Sequence, residues 1–195
     1  MTRVAVVTGG AGGMGVATAT IVGRDHTVVL GDVRQDRLDA AAATLGDLGI
    51  TAVLVNCDVT DRDAAAALID TAAGLGTLAA VIHTAGVSPS MGDAEYVMRT
   101  NAVGTVNVNE AFHRIAGEGS AIVNVASMAA HMLPESIIHT THFPLALQDE
   151  DRFMQEMLAA CEIAPEEARS GMAYAVSKSF VRWYGTSQAE RFNGR

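Results

Sequence analysis

The sequence predicts an α/β protein built on a doubly wound parallel sheet, on the strength of three observations. Short, continuously apolar runs of strand length recur through the first 130 residues, as strands covered on both faces should. Longer helical segments separate them, and each return to a parallel neighbour needs such a crossover. The chain is 195 residues long, 49% hydrophobic and 18% charged, which suits one sizeable core rather than two or a disordered chain.

The elements follow in order. Strands are expected at residues 4–8, 27–31, 51–56, 78–84 and 121–126, with helices at 13–24, 35–48, 61–75 and 94–116. The second and third helices are alanine-rich with one polar face, and Asp61 stands where a cap belongs. Beyond residue 130, a helix is expected at Glu150–Cys161 and another after Pro165. The whole is read as one dinucleotide-binding and catalytic domain over 1–195, with an inserted segment at about 131–171.

Composition narrows the function. Asp and Glu total 22 against 13 Lys and Arg, a formal charge of −9 with no basic run, which argues against nucleic-acid and anionic-membrane partners. Cys57 and Cys161 are far apart and lack neighbours at metal-ligand spacing, so neither a disulfide framework nor a metal site is expected, and a reducing cytoplasm fits. No apolar run has signal-peptide or membrane-spanning proportions. The chain has a single lysine, Lys178, which marks a place to look for chemistry that a guanidinium cannot do.

The first strand runs into Thr8-Gly9-Gly10-Ala11-Gly12-Gly13-Met14-Gly15, and a helix follows. Two spacings fit this loop: Gly10, Gly12 and Gly15 make GxGxxG, while Gly9, Gly13 and Gly15 make TGxxxGxG. Either lets backbone amides and a helix N-terminus approach a pyrophosphate. Asp32 ends the second strand, where a carboxylate accepts hydrogen bonds from a ribose diol and opposes a 2′-phosphate, favouring NAD over NADP. Arg34 is the contrary feature, unless it is a solvated residue at a helix start. Asp58 ends the third strand as either a ligand group or a turn residue. In His83-Thr84-Ala85-Gly86 the small residues permit close backbone approach, and His83 by itself reads as a hydrogen-bonded core histidine.

Tyr174-Ala175-Val176-Ser177-Lys178 places a phenol and an ammonium four apart, on one helix face. A free tyrosine ionises near pH ~10, and a fixed positive charge favours its phenolate, giving an acid-base group. Ser127, closing the fifth strand, could donate a hydrogen bond to a substrate oxygen. Taken singly, each residue is also an ordinary surface or loop residue.

Together these motifs resemble the short-chain dehydrogenase/reductase family, over essentially the whole chain, and its Rossmann fold. Thr8-Gly9, Gly13, Met14 and Gly15, with Gly12 between them, resemble the family's cofactor loop; Asp32 with Val33 resembles its NAD-type ribose ligand, and Asp58-Val59 the pair beside adenine. His83-Thr84-Ala85-Gly86 is similar to its NNAG segment with both asparagines replaced. Asn101, Ser127, Tyr174 and Lys178 resemble its catalytic tetrad. The resemblance implies hydride exchange between NAD(H) and an alcohol or ketone. Tyr174 would be general acid or base, Ser127 would hold the substrate oxygen, Lys178 would tune Tyr174 and bind the nicotinamide ribose, and Asn101 would order a relay water. A homo-oligomer, commonly a dimer, is implied too.

Three departures qualify the resemblance. His83 and Thr84 must solve otherwise the packing that two amides provide in the family. Tyr174 lies 47 positions after Ser127, a far longer interval than usual, similar to helical insertions in some carbonyl and hydroxysteroid reductases. That segment emerges at the mouth of the expected site and carries many apolar residues, so it is expected either to cover the substrate side and alter subunit contacts or to pack as plain core. The sequence ends at Arg195, before the family's last two strands, so a longer reductase is expected. The alternative is a catalytically weak NAD-binding module used for sensing or assembly.

Overall fold

The computed structural model describes residues 2–192. In chain order the elements are β1 (Arg3–Thr8), α1 (Gly13–Val22), β2 (Thr27–Asp32), α2 (Gln35–Gly46), β3 (Ala52–Asn56), α3 (Arg62–Leu75), β4 (Thr77–His83), α4 (Ala94–Met98), α5 (Gly104–Ile115), β5 (Ala121–Asn124), α6 (Glu135–Ile138), α7 (Glu150–Cys161) and α8 (Arg169–Ser187). They group into two compact units, one of residues up to 85 with 107–125, the other of residues 86–106 with 126–191.

The first unit is the parallel sheet, in the order β3-β2-β1-β4-β5. This is the doubly wound arrangement the apolar runs predict, and its order reverses between β1 and β4, where such sheets hold ligands. Val4, Val6, Val29 and Val81 bury one face against Leu68, Ile69 and Phe112; Val7, Val28 and Leu30 bury the other against Ala19, Leu38 and Leu45. Gly31 is small because a Cβ there would stand 2.6 Å from Leu68 Cδ2, so α3 seats directly on β2. The Asp61 carboxylate accepts from the amides of Asp63 and Ala64, capping α3 as its position in the sequence suggests. Asn109 and Asn124 exchange side-chain hydrogen bonds of 2.8 and 2.9 Å, tying α5 to β5 through a pair that satisfies both amides.

The second unit is helical. Where one helix is expected over 94–116, the backbone makes a π-helical turn at Arg99–Val103 between α4 and α5. Such turns insert a residue into the ladder and re-aim the side chains there. The segment after Ser127 forms the short α6, a 3₁₀ stretch at Thr140–Leu147, and α7. Its apolar residues are core: Ile138, Phe143, Phe153, Met154 and Met157 are buried with Val97 and Met98 of α4 and Phe180 and Tyr184 of α8. Phe180 is the centre, meeting Phe143 edge-on at 5.3 Å and Phe153 at 4.9 Å between ring centroids, within the spacing at which aromatic pairs add to area burial. Met132 and Leu147 of the same segment stay exposed. Among the described residues no helix is long and apolar enough to cross a membrane.

Candidate active site

In the first unit, the glycine loop leads from β1 into α1. Gly9 has φ +61°, and a Cβ there would lie 2.8 Å from the Ala85 backbone, so only glycine fits. A Cβ on Gly15 would collide with the Gly9 carbonyl and the Gly10 backbone, and one on Gly10 would stand 2.9 Å from the Val7 carbonyl. These three glycines are required by the protein's own packing. Gly12 and Gly13 are different: a Cβ on Gly13 meets nothing within 4 Å, and one on Gly12 meets only the Gly9 carbonyl at 3.2 Å. They keep open the space before α1, whose N-terminus has neither a side-chain cap nor an acidic first turn. Uncapped amides facing open space fit the pyrophosphate of a dinucleotide. Met14, in that first turn, is 59% exposed.

Asp32 is held by its loop. One carboxylate oxygen accepts from the Ala11 amide at 3.2 Å, the other from the Arg34 amide at 3.1 Å, while Val33 beside it is exposed. Arg34 is occupied by Asp36, through bonds of 2.9 and 2.7 Å. Asp58 forms a turn, accepting from the Thr60 amide and hydroxyl at 2.9 and 2.8 Å, and its side chain is exposed. Asn107 of α5, a residue the sequence reading passed over, donates to the carbonyls of Val59 and Thr60 at 3.1 Å each and so fixes the turn after Asp58. The signal was a polar residue at a buried helix position.

The pair that replaces the two asparagines uses a different bond pattern. His83 Nδ1 lies 2.7 Å from the Thr8 hydroxyl, the Thr84 hydroxyl donates to the Thr8 carbonyl at 2.7 Å, and the Ala85 amide donates to the Thr8 hydroxyl at 3.3 Å. β1 and β4 are thereby stitched beyond their backbone ladder, and His83 is the hydrogen-bonded core histidine expected.

The tetrad residues all lie in the second unit. Asn101 sits in the π-helical turn, 1% exposed; its carboxamide accepts from the Val87 amide at 2.8 Å and donates to the Val87 carbonyl at 3.1 Å and the Ser177 hydroxyl at 3.2 Å. Ser177 in turn donates to the Tyr174 carbonyl at 2.9 Å. Ser177 thus joins Asn101 to the helix that carries Tyr174 and Lys178. The Lys178 ammonium lies 6.0 Å from the centre of the Tyr174 ring and is only 6% exposed. A Cβ on Gly86 would come within 3.3 Å of that ammonium and 3.0 Å of Asn101 Oδ1, so Gly86, Asn101 and Lys178 meet at one point. Burial pushes the Lys178 ammonium down to about 8.

Ser127 opens the 3₁₀ turn Met128–His131, its hydroxyl accepting from the Ala129 amide at 3.2 Å. That turn is bonded to α8, since the Ser179 hydroxyl donates to the Ala130 carbonyl at 3.2 Å. Among the described residues no hydrogen bond joins Ser127 to Tyr174. The two cysteines are free and buried, and burial pushes both thiols up to about 11.

A profile of the short chain dehydrogenase family matches residues 3–139. The cis-4-hydroxycyclohexanecarboxylate dehydrogenase of Sinomonas cyclohexanicum is 48% identical over 88 residues, covering 44% of this chain and 35% of that protein. The mitochondrial (-)-isopiperitenol/(-)-carveol dehydrogenase of Mentha piperita is 31% identical over 144 residues, 66% of this chain and 54% of that one. The chain thus spans between a third and about half of these curated relatives. A crystal structure of a short chain dehydrogenase from Mycobacterium smegmatis shares the fold, with TM-score 0.71 and 24% identity over 97% of this chain and 71% of its own. A match that begins at β1, passes through all five strands of this sheet and ends at His139 makes the chain a member of the short-chain dehydrogenase family.

Proposed function

We propose that the protein exchanges a hydride between NAD(H) and an alcohol or ketone, with Tyr174 as general acid or base. The observation that carries this reading is the buried Lys178 on the same helix as Tyr174, 6.0 Å from the ring, against Gly86 and Asn101. Burying an ammonium costs desolvation, so a chain that places its one lysine there, beside a phenol, gains something other than stability. Below about pH 8 Lys178 carries its charge, and a positive charge beside a phenol stabilises the deprotonated oxygen. Tyr174 then takes the proton from an alcohol oxygen, or returns it to a carbonyl oxygen.

The bound cofactor would supply the hydride acceptor or donor at its nicotinamide ring. The chain's residues bind and orient it: the amides of Gly12, Gly13, Met14 and Gly15 take the pyrophosphate, Asp32 and Val33 the adenosine ribose, Asp58 and Val59 the adenine side, and Ala85 and Gly86 offer close backbone approach. Lys178 also binds the nicotinamide ribose, and Asn101 holds the Val87 backbone and orders a relay water. Ser127 donates to the substrate oxygen, whose developing charge needs a donor beside it. NAD is favoured because Asp32 repels a 2′-phosphate and Arg34, two residues on, is taken by Asp36. Two free, buried thiols in an acidic chain suit the cytoplasm, and a homo-oligomer is proposed, measurable by light scattering.

The test is NAD(H) absorbance with a panel of alcohols and ketones on the whole protein. Tyr174→Phe should lower kcat by about 10³-fold while NAD(H) affinity stays within about twofold. A Tyr174→Phe variant that keeps most of its activity overturns the assignment, and NAD(H) binding without turnover of any panel member favours a binding module instead.

A further inference from the structure

A cavity of about 420 Å³ lies in the second unit, on a part of α8 the proposed reaction does not use. Ile138 and Phe143, both buried, line it; Trp183 forms a wall; Thr140, Arg182 and Thr186 stand exposed around it. On α8, Arg182, Trp183 and Thr186 are spaced as one helix face, set well round the helix from Tyr174 and centred about a quarter-turn or more away from the Tyr174–Lys178 stripe. The volume lies in the range of small-molecule sites.

Its chemistry is specific. Trp183, half-buried, offers the accessible aromatic surface, and the buried Phe143 ring backs it at 5.4 Å with planes at 61°. None of the lining residues is acidic, in a chain with 22 Asp and Glu. Arg182 pairs with no carboxylate among the described residues; its nearest polar partner is His131 Nδ1 at 3.4 Å. His139, between the lining residues Ile138 and Thr140, holds φ +51°, the only positive φ among the described non-glycine residues. This is the left-handed residue that ends α6 and turns the chain into the 3₁₀ stretch beside the cavity.

We propose that this cavity binds a small aromatic monocarboxylate, its ring against Trp183 and its carboxylate on the Arg182 guanidinium, with Thr140 and Thr186 as flanking hydroxyl donors. A carboxylate matches the guanidinium fork, and an acidic protein leaves that fork to an outside anion. The site is independent of the proposed hydride chemistry.

Trp183 is the chain's single tryptophan, so its fluorescence reports this wall and nothing else of its kind. Titration of the whole protein with benzoate should give a saturable change with half-saturation near ~1 mM. Arg182→Gln should weaken it about tenfold, and benzyl alcohol, with the same ring and no charge, should bind about tenfold more weakly than benzoate. Thr186→Phe, an exposed substitution at the mouth, should abolish the response with far-ultraviolet circular dichroism unchanged, and it stands in if Arg182→Gln fails to fold. The proposal is overturned by no saturable change, by wild-type affinity in Arg182→Gln or Thr186→Phe, by equal binding of benzyl alcohol, or by an identical response to inorganic phosphate.

Discussion

The two units of this chain are built by different means. The first rests on a backbone ladder: five parallel strands, aliphatic side chains above and below, and glycines at the tightest approaches, as at Gly9, Gly15 and Gly31. The second has no sheet, and Phe143, Phe153, Phe180 and Tyr184 knit three helices and a 3₁₀ stretch around one aromatic centre. In the proposed function, the first supplies the loop amides and the Asp32 carboxylate at its strand ends. The second holds Asn101, Tyr174 and Lys178 through side-chain bonds on helices, one of them interrupted by a π turn. A ladder tolerates the loss of a side chain better than a knot of rings does.

The largest expected effect tests that contrast directly. Deleting residues 135–168 behind a short Gly-Ser bridge removes Ile138, Phe143, Phe153, Met154 and Met157 from the second core. The aromatic near-ultraviolet signal should vanish and cooperative unfolding of that unit should be lost. A deletion variant that still melts in one sharp transition would mean the segment is separable decoration after all.

Next come single core residues. Phe180→Ala should cost about 4 kcal/mol and Leu30→Ala about 3 kcal/mol, read from urea midpoints. Equal or reversed costs would say that the aromatic centre is no tighter than the aliphatic layers.

Lys178 sharpens the comparison in the opposite direction, since removing it should stabilise. Its folded-state value is about 8 against an ordinary 10.5. Between those limits the unfolded chain binds the proton and the folded chain does not, so stability rises with pH through that window. Lys178→Met should gain about 3 kcal/mol at pH 7 and flatten that rise, while destroying turnover. A native midpoint that falls from pH 8 to 10 would show that burial is not what governs this group.

The smallest effect belongs to the first unit. Asp32→Ala should weaken NAD(H) about tenfold and narrow the preference over NADP(H), with the unfolding midpoint nearly unchanged. Titration of both cofactors by nucleotide fluorescence reads this, and an unaltered preference would remove Asp32 from the selection.

The same contrast governs what the sequence discloses. Strands buried on both faces announce themselves as apolar runs, and β1 to β5 fall within one or two residues of where those runs put them. The glycine loop is legible because each constrained glycine answers to backbone. Glu150–Cys161 is legible because its apolar residues keep helical spacing. By contrast, the π turn at Arg99–Val103 is invisible: it shifts the phase of the helical pattern, but the five residues of α4 are too few to show the phase it departs from. The turns of residues 135–147 are too short to show a period at all. Ser177 and Asn107 escaped notice for a further reason: their importance lies in bonds to residues 76 and 48 positions away, which no local pattern encodes.

The two buried thiols give the experimenter a quiet background. With Cys57 and Cys161 nearly inaccessible and held up at about 11, almost no thiolate is present near neutral pH, and maleimides attack thiolates. A cysteine installed at exposed Met14 would therefore take a dye alone, without first stripping the native pair. An environment-sensitive label at that position, on the opening turn of α1, would report a nucleotide's arrival in real time, whether or not any substrate is ever turned over.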